Sequence, residues 1–295
     1  MRIRKAVLPV AGLGTRILPA TKVIPKEMLP LVDKPTLQYI VEEAVACGIE
    51  EIIFVTSRSK RAIEDHFDAF PELEQLLEQR GKLQELEELR RVHQLAHYSA
   101  VRQPEPLGLG HAILCARALV GDEPFVVMLG DVLVAEETPC LPQLMAIHER
   151  YGGSVVALAP VPDDLISSYG IAAVEELGEQ ALRITHLVEK PPREEAPSNL
   201  AVMGRYLLTP DIFPLLEETP PGAGGEIQVT DAIERQASEG RCYGLRFTGT
   251  YYDTGTRLGL LTTTITYALK RPELAPDLRA FLRQALEGLN QGSES

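Results

Sequence analysis

The sequence has no long apolar run and no surplus of positive charge, and each absence excludes a class of function. No stretch of about 18 apolar residues occurs in the 295 residues, so we expect no membrane-spanning helix. The N-terminal residues lack the apolar segment and cleavage site of a secretory signal. Acidic residues outnumber basic ones by 42 to 29, a net charge of −13. Because nucleic-acid phosphates require a basic surface, we expect no nucleic-acid partner.

Cysteine is also scarce, and its four copies are widely spaced with no C-x-x-C pair, at Cys47, Cys115, Cys140 and Cys242. In a chain of this length without an export signal, such cysteines are expected to be reduced, mostly buried thiols of a cytoplasmic protein. The hydrophobic fraction of 45% and the charged fraction of 24% are typical of a globular chain that can bury a sizeable core. No Ser/His or Cys/His nucleophile arrangement is evident.

The spacing of apolar residues predicts an α/β fold. The apolar run Ala6–Val10 indicates a buried strand, and Ile52–Thr56 indicates a second. Between Pro35 and Gly48, apolar residues recur on one helical face. Strand, helix and strand within about 50 residues form a βαβ unit. Further strands are expected at 98–101, 125–129 and 155–161, and further helices at 110–119, 228–239 and 257–269. The fold class predicted is a doubly wound, mostly parallel, Rossmann-like sheet.

Residues 64–95 interrupt this alternation with leucines set among many charged residues. The pattern predicts one or two charged amphipathic helices. Two interpretations stay open for them: a solvated helical excursion, or a leucine face that contacts a second subunit. We expect residues 1–270 to form a single domain containing this excursion. Residues 271–295 are expected to form a C-terminal helix and a frayed polar tail.

Functional groups follow three predicted strands at one edge of the sheet. Ligands of an open parallel sheet bind beyond the carboxyl ends of its strands, where the sequence has Ala11–Arg16, Arg102–Gly110 and Gly130-Asp131. The first segment, A-G-L-G-T-R, offers backbone N–H groups, a hydroxyl and a guanidinium, which suit a phosphate. It is neither a P-loop nor the dinucleotide fingerprint. A proline-stiffened stretch follows and holds Lys26 near this glycine turn.

Carboxylates near the same edge each allow two interpretations. Asp131 is expected to end a buried strand, where it would bind Mg²⁺ with substrate phosphates or cap the following turn. Asp253 is a second metal ligand or the N-cap of the helix beginning near Arg257. Glu189 and Lys190 place an acid and a base at one rim of the site, or form a plain exposed ion pair.

Nine motifs, in order along the chain, resemble those of the nucleotidyltransferases that activate sugar 1-phosphates, and P-K-E-M-L-P favours the uridylyl branch of that family. The matching segments are A-G-L-G-T-R-I-L-P-A-T-K-V-I-P-K-E-M-L-P-L-V-D-K-P at 11–35, Q-Y-I-V-E-E-A at 38–44, Q-P-E-P-L-G-L-G-H-A at 103–112, G-D-V at 130–132, Y-G-I at 169–171, E-K-P at 189–191, N-L-A-V-M-G-R-Y at 199–206, G-G-E-I-Q-V-T-D-A at 224–232 and Y-Y-D-T-G-T at 251–256.

The resemblance implies a Mg²⁺-dependent enzyme with one catalytic domain, acting as a homodimer or homotetramer. Its reaction would transfer the uridylyl group of UTP to glucose 1-phosphate, giving UDP-glucose and pyrophosphate. The implied roles are nucleotide binding by Ala11, Gly12, Gly14, Thr15, Glu27, Gln103 and Gly108, sugar binding by Gly170, Glu189 and Lys190, metal binding by Asp131 and Asp253, and catalytic charge from Arg16, Lys26 and Lys190. Two alternatives stay open: a non-catalytic regulatory paralogue that binds nucleotide sugar, and a relative that uses dTTP, which differs from UTP at the base by one methyl group.

Overall fold

A large β-sheet forms the centre of the described part of the chain. The computed structural model describes residues 2–292 and, except at residue 223 and residues 289–292, their side chains. Its strands are β1 Lys5–Pro9, β2 Pro30–Leu31, β3 Lys34–Pro35, β4 Glu51–Thr56, β5 His97–Arg102, β6 Phe125–Met128, β7 Val132–Val134, β8 Ser154–Pro160, β9 Gly170–Gly178, β10 Ala181–Glu189, β11 Leu200–Leu208, β12 Cys242–Arg246 and β13 Tyr251–Asp253. Nine of the strands in residues 2–292 join in the order β5-β4-β1-β6-β11-β8-β12-β10-β9, and β13-β7 and β2-β3 form small separate pairs.

Helices cover both faces of this sheet. They are α1 Thr36–Ala46, α2 Arg61–Phe67, α3 Pro71–Gln79, α4 Leu83–Gln94, α5 Leu109–Cys115, α6 Arg117–Val120, α7 Cys140–Tyr151, α8 Ile212–Glu218, α9 Val229–Ser238, α10 Arg257–Lys270 and α11 Ala275–Gly292. Alternate strand residues point to opposite faces. Leu8 and Met128 accordingly lie in a core beneath α1 and α7, while Val7 and Val127 lie in a second core beneath α5, α8 and α9. The α/β, doubly wound class is confirmed.

Parallel pairing is concentrated in one half of the sheet. Strands β5, β4, β1 and β6 run parallel to one another. In the other half β11 is antiparallel to β6 and β8, β9 and β10 are antiparallel, and only β8 and β12 are parallel. The sheet is therefore mixed rather than mostly parallel. One reason is the two-residue connection between β9 and β10, which joins antiparallel neighbours and leaves no room for a crossover helix. The other is β11, which runs opposite to both β6 and β8.

The charged excursion contains two complete helices, α3 and α4, which carry its leucines, together with the end of α2, so the prediction of one or two charged amphipathic helices is confirmed. Pro71 lies in the first turn of α3, and Gly81 adopts a φ of 68° just after its end, so a proline and a glycine break the segment into short helices. Leu86 is buried, whereas Leu76 and Leu83 are exposed. Most of the segment is therefore solvated in the single chain, and a contact with a second subunit remains a prediction.

Smaller differences lie in the helices near residues 116 and 287. The helix expected over 110–119 is divided at Ala116 into α5 and α6. The backbone of α11 is helical as far as Gly292, so the part of the expected frayed tail that the structure describes is helical. Residues 293–295 lie outside the described residues. Through residues 2–292, no helix has both the length and the apolar character needed to cross a bilayer.

Candidate active site

The loop between β1 and α1 is irregular and folds back on itself. It contains three short 3-10 turns, at Thr15–Ile17, Ala20–Lys22 and Lys26–Met28, as its prolines predict. Gly14 adopts a φ of 67°, and its carbonyl oxygen accepts a 2.7 Å hydrogen bond from the Thr21 hydroxyl. A Cβ added to Gly14 would lie 3.4 Å from the Cβ of Lys26. The fold of the loop therefore brings Lys26 next to the glycine turn.

Two cations from this loop face Asp131. The Nζ of Lys26 lies 2.5 Å from Oδ2 of Asp131, and an Nη of Arg16 lies 3.7 Å from the same oxygen. The side chains of Lys26 and Asp131 are 18% and 15% exposed. This charge balance is the compensation that a poorly solvated carboxylate requires.

Asp131 lies in the turn between β6 and β7, three residues beyond the strand that it was expected to end. β6 ends at Met128, and the N–H of Leu129 just beyond it still donates to the carbonyl of Gly204 on β11, at 3.0 Å. The carbonyl oxygen of Asp131 accepts hydrogen bonds from the backbone N–H and the hydroxyl of Thr254, at 2.8 and 3.0 Å. The backbone holds the turn, and the carboxylate is left to face the cations.

The second predicted carboxylate, Asp253, lies beside the first. It ends β13, which pairs with β7 and sets Asp253 opposite Val132. A Cβ added to Gly255 would lie 2.7 Å from Oδ2 of Asp131 and 3.0 Å from Oδ1 of Asp253. The two carboxylates therefore converge on a position that has room only for glycine.

The helix-cap interpretation of Asp253 is wrong. The N-cap of α10 is Thr256, whose hydroxyl accepts a 3.0 Å hydrogen bond from the N–H of Gly259. Asp253 instead accepts a 2.7 Å hydrogen bond from the N–H of Gly255. One of its carboxylate oxygens is thereby oriented toward Asp131.

This arrangement fits a divalent ion that arrives with phosphates. Among the described residues there is no group of three or more His, Cys, Asp or Glu side chains that could hold a metal ion. Two converging carboxylates suit Mg²⁺, which keeps several waters and binds through one or two carboxylates together with substrate phosphates. Asp131 and Asp253 have that spacing and chemistry.

Glu189 and Lys190 line the same cavity as Asp131 and Asp253. Glu189 ends β10, and its Oε2 accepts a 2.6 Å hydrogen bond from the hydroxyl of Thr230. A Cβ added to Gly170 would lie 3.1 Å from that oxygen. The side chain of Lys190 is 49% exposed and its Nζ lies 3.3 Å from Oε1 of Glu189. The carboxylate is therefore fixed, while the ammonium remains accessible to an anionic ligand.

The volume of this cavity is about 280 Å³. Six of the predicted site residues line it, namely Arg16, Asp131, Gly170, Glu189, Lys190 and Asp253. The other eight lie outside its lining, namely Ala11, Gly12, Gly14, Thr15, Lys26, Glu27, Gln103 and Gly108. The residues predicted to bind the metal and the sugar therefore line the cavity, whereas those predicted to bind the nucleotide lie outside its lining. The ion pair of Lys26 with Asp131 connects the two groups.

Among the residues predicted to bind the nucleotide, Gln103 has a side-chain amide that is held in one orientation. Its Nε2 lies 3.0 Å from the carbonyl oxygen of Gly108 and 3.2 Å from Nδ1 of His111. Gly108 has a φ of 94°, and a Cβ there would lie 2.6 Å from the Cβ of Glu226. The segment therefore needs glycine at this point in order to reach the rim of the cavity.

Glu27 does not lie where a ligand could contact it. It is 1% exposed, and its Oε2 forms a 2.8 Å ion pair with the buried ammonium of Lys60. Burial raises the pKa of the Glu27 carboxyl, and the charge of Lys60 opposes that rise. A Cβ added to Gly130 would lie 2.9 Å from Cγ of Glu27. Direct contact of Glu27 with a nucleotide is therefore not supported, because its carboxylate packs beneath the turn that carries Asp131.

Several residues of the site were missed in the sequence. Tyr169, Tyr251 and Thr230 line the cavity, and Lys60 supports Glu27. The first three belong to quoted motifs, so their motifs could have suggested a role. Lys60 lies in an ordinary polar stretch and has no such signal.

Known proteins are similar to this chain along most of its length. A family model described as Nucleotidyl transferase matches residues 5–268. A UTP–glucose-1-phosphate uridylyltransferase of Bacillus subtilis (strain 168) is 52% identical over 287 residues, covering 97% of this chain and 98% of the relative.

Two solved structures are similar over nearly the whole chain. A UTP-bound UGPase from Acinetobacter baumannii has 42% identity and a TM-score of 0.86, covering 95% of this chain and 99% of that one. A UDP-glucose pyrophosphorylase complexed with UDP-glucose has 45% identity and a TM-score of 0.83, covering 92% of this chain and all of that one. Because family model and relatives match along most of the sequence, the chain belongs to the nucleotidyl transferase family.

Proposed function

We propose that this protein transfers the uridylyl group of UTP to glucose 1-phosphate, forming UDP-glucose and pyrophosphate. The observation that carries the proposal is one cavity lined both by the converging carboxylates of Asp131 and Asp253 and by the pair of Glu189 and Lys190. It occurs in a chain that is 52% identical to a UTP–glucose-1-phosphate uridylyltransferase over almost its full length.

The reaction is an in-line displacement at phosphorus. A phosphate oxygen of glucose 1-phosphate forms a bond with the α-phosphorus of UTP, while the bond from that phosphorus to the bridging oxygen breaks and pyrophosphate leaves. Such transfer depends mainly on positioning and on neutralising charge, and it needs no covalent enzyme intermediate. The exposed guanidinium of Arg16 suits the triphosphate, and the ammonium of Lys26 suits the charge that builds around the α-phosphate.

We propose Mg²⁺ as the metal, with Asp131 and Asp253 as its protein ligands. The ion would supply positive charge to the phosphates during displacement. The ammonium of Lys26 forms an ion pair with Asp131, which holds both side chains in place. The same lysine is thereby held within reach of the phosphates.

The remaining roles divide between base, ribose and sugar. Ala11, Gly12, Gln103 and Gly108 are proposed to contact uracil and ribose, and Gly14 and Thr15 to hold the triphosphate. Gly170, Glu189 and Lys190 are proposed to bind glucose 1-phosphate, with the glucose hydroxyls on Glu189 and the phosphate on Lys190. Glu27 is proposed as a buried support for the turn at Gly130 rather than a ligand.

Three further properties are proposed with the function. They are a cytoplasmic location, a homodimer or homotetramer, and a single catalytic domain of residues 1–270 followed by a C-terminal helix and tail. The free state of all four cysteines is consistent with a cytoplasmic location. Size-exclusion chromatography with light scattering measures the oligomeric state directly.

A pyrophosphate-release assay tests the function. Glucose 1-phosphate is offered with UTP, dTTP, ATP, CTP or GTP in the presence of Mg²⁺, and UTP is expected to give the highest kcat/KM. Equal or better turnover with ATP or GTP would contradict the uridylyl assignment, and a preference for dTTP would favour the thymidylyl alternative. Binding of UDP-glucose without any turnover would instead favour the regulatory paralogue.

A further inference from the structure

A fully buried arginine lies directly behind the proposed metal site. Arg205 is 0% exposed and is the largest fully buried side chain in the described residues. It belongs to β11, at the position that pairs with Met128 of β6. A buried guanidinium is strongly unfavourable unless it is paired and fully hydrogen-bonded, so its partners indicate its purpose.

All five N–H donors of Arg205 have acceptors. Nε and Nη2 form a two-pronged ion pair with Glu43 of α1, at 3.2 and 2.7 Å, and Nη2 also donates to the carbonyl of Val132 at 2.7 Å. Nη1 makes longer contacts of 3.5 Å with the carbonyls of Leu129 and Gly204. A guanidinium has five donors in a fixed fork, and here each of them is used.

A β-bulge aims Arg205 at this location. The register of β11 with β8 is interrupted between Val202 and Tyr206. Gly204 lies inside the interruption with a φ of 79°, and a Cβ there would lie 2.8 Å from Cδ1 of Leu129. Bulges next to active sites redirect side chains, and this one turns the guanidinium toward α1 and the β6–β7 turn.

The carbonyl acceptors of Arg205 lie on both sides of Asp131. Leu129 precedes Asp131 by two residues and Val132 follows it directly, while Glu43 fixes the guanidinium to α1. We propose that Arg205 is a positioning residue, which holds the turn of residues 129–132 so that the Asp131 carboxylate meets Asp253 and the metal. This inference rests on the proposed role of Asp131 as a metal ligand.

Arg205→Lys tests the proposal, because it keeps the charge but reduces five forked donors to three. The measurements are the Mg²⁺ concentration that gives half-maximal activity and, separately, Mn²⁺ binding by electron paramagnetic resonance in the presence of UDP-glucose. We expect both constants to rise about tenfold, while KM for glucose 1-phosphate changes less than twofold. Glu43→Gln keeps one acceptor without the charge, and we expect about a threefold rise in the same two constants.

Lys5 offers a matched control at the amino end of β1. Its ammonium also bonds two backbone carbonyls, of Leu119 and Val120, and a carboxylate, of Glu123, each at 2.9 Å. Lys5→Met should lower the melting temperature and leave both metal constants within about twofold. If Arg205 only stabilised the fold, Arg205→Lys would likewise lower the melting temperature and leave both metal constants within about twofold.

The outcomes separate the positioning proposal from the metal assignment. If the Arg205→Lys and Glu43→Gln variants lose stability but keep normal metal constants, Arg205 does not position Asp131. If Arg205→Lys does not fold, Glu43→Gln alone decides by the same criterion. Asp131→Asn is the reference: should it retain normal Mn²⁺ binding, the metal assignment itself fails, whatever the arginine variants do.

Discussion

The parallel and mixed halves of the large sheet supply different parts of the site. In the parallel half, the functional groups lie in loops beyond strand ends that share one edge, as with Arg16 after β1 and Gln103 after β5. In the mixed half they lie at the end of β10, the start of β9 and the first turn of α9, at Glu189, Gly170 and Thr230. Parallel strands bring their carboxyl ends together by direction alone, whereas antiparallel strands need specific pairing to do so.

The difference also separates the two substrates in the proposed reaction. The parallel half and its irregular loop hold the cations and the glycine turn suited to a nucleotide, and the mixed half holds the acid and base suited to a sugar phosphate. Asp131 lies where the halves meet, between β6 and β7 and in contact with Lys26. Damage at that junction should therefore affect both substrates, and damage within either half should affect one.

The largest effect is expected at the junction. Asp131→Asn should lower kcat/KM by about 10³-fold, because an amide is a far poorer ligand for a hard cation and the bound cation would neutralise the negative charge that develops on the phosphates. The melting temperature should change little, because the hydrogen bonds to Thr254 use the backbone carbonyl. Normal kcat at saturating Mg²⁺ would contradict the junction role. Asp33→Asn, which breaks an ion pair with Arg271 outside the cavity, is the control.

A smaller effect, confined to the chemical step, is expected within the parallel half. Lys26→Ala should lower kcat by about 10²-fold, since it removes one preorganised charge near the α-phosphate. KM for glucose 1-phosphate should stay within about twofold. Steady-state rates at saturating UTP measure the change. Lys34→Ala, which removes an ammonium paired with Glu42 outside the cavity, should retain kcat.

Crowding the two carboxylates should weaken metal binding. A Cβ on Gly255 would lie within 3.0 Å of an oxygen of each of the two aspartates, so Gly255→Ala should force them apart and raise half-saturating Mg²⁺ about tenfold. A Mg²⁺ titration of activity measures this. Gly288→Ala adds the same methyl group in α11 with nothing within 4 Å, and it should leave the titration unchanged. If Gly255→Ala left the half-saturating Mg²⁺ concentration unchanged, the geometric argument that Asp131 and Asp253 share one metal ion would fail.

The smallest effect is expected at Thr230, a residue of the mixed half that contacts Glu189. Thr230→Val keeps the side-chain shape but removes the 2.6 Å hydrogen bond to Glu189, so KM for glucose 1-phosphate should rise about threefold to tenfold. KM for UTP should not change. Initial rates at varied glucose 1-phosphate measure it, with Thr266→Val in α10 as the control because its hydroxyl bonds only the backbone of its own helix. An equal rise in both KM values would place Thr230 outside a separate sugar half.

Sequence reasoning was most successful in the parallel half, for a physical reason. Three of its four strands, β1, β4 and β6, are short apolar runs, so these strands and the edge that holds Arg16 and Asp131 could be predicted. The mixed half has long strands such as β9 and β10, which include exposed residues, and a short connection that periodicity does not reveal.

The supporting residues could not be predicted for another reason. Arg205 lies within an otherwise apolar strand, and nothing near it in the sequence indicates that Glu43 is its partner 162 residues away. Lys60 and Glu27 are likewise 33 residues apart. Such pairs are formed by tertiary packing. Glu27, Glu43 and Arg205 lie in quoted motifs, but a motif does not show which residue its members pair with.

The division into nucleotide and sugar halves is tested most directly by one two-substrate kinetic grid on Lys190→Ala beside Lys26→Ala. Lys190 is proposed to supply a charge-assisted hydrogen bond to the phosphate of glucose 1-phosphate, so its loss should raise that KM about tenfold or more. KM for UTP should stay within about twofold, while Lys26→Ala should act mainly on kcat. If Lys190→Ala weakened UTP as much as glucose 1-phosphate, the two halves would not be separate and the account would be wrong.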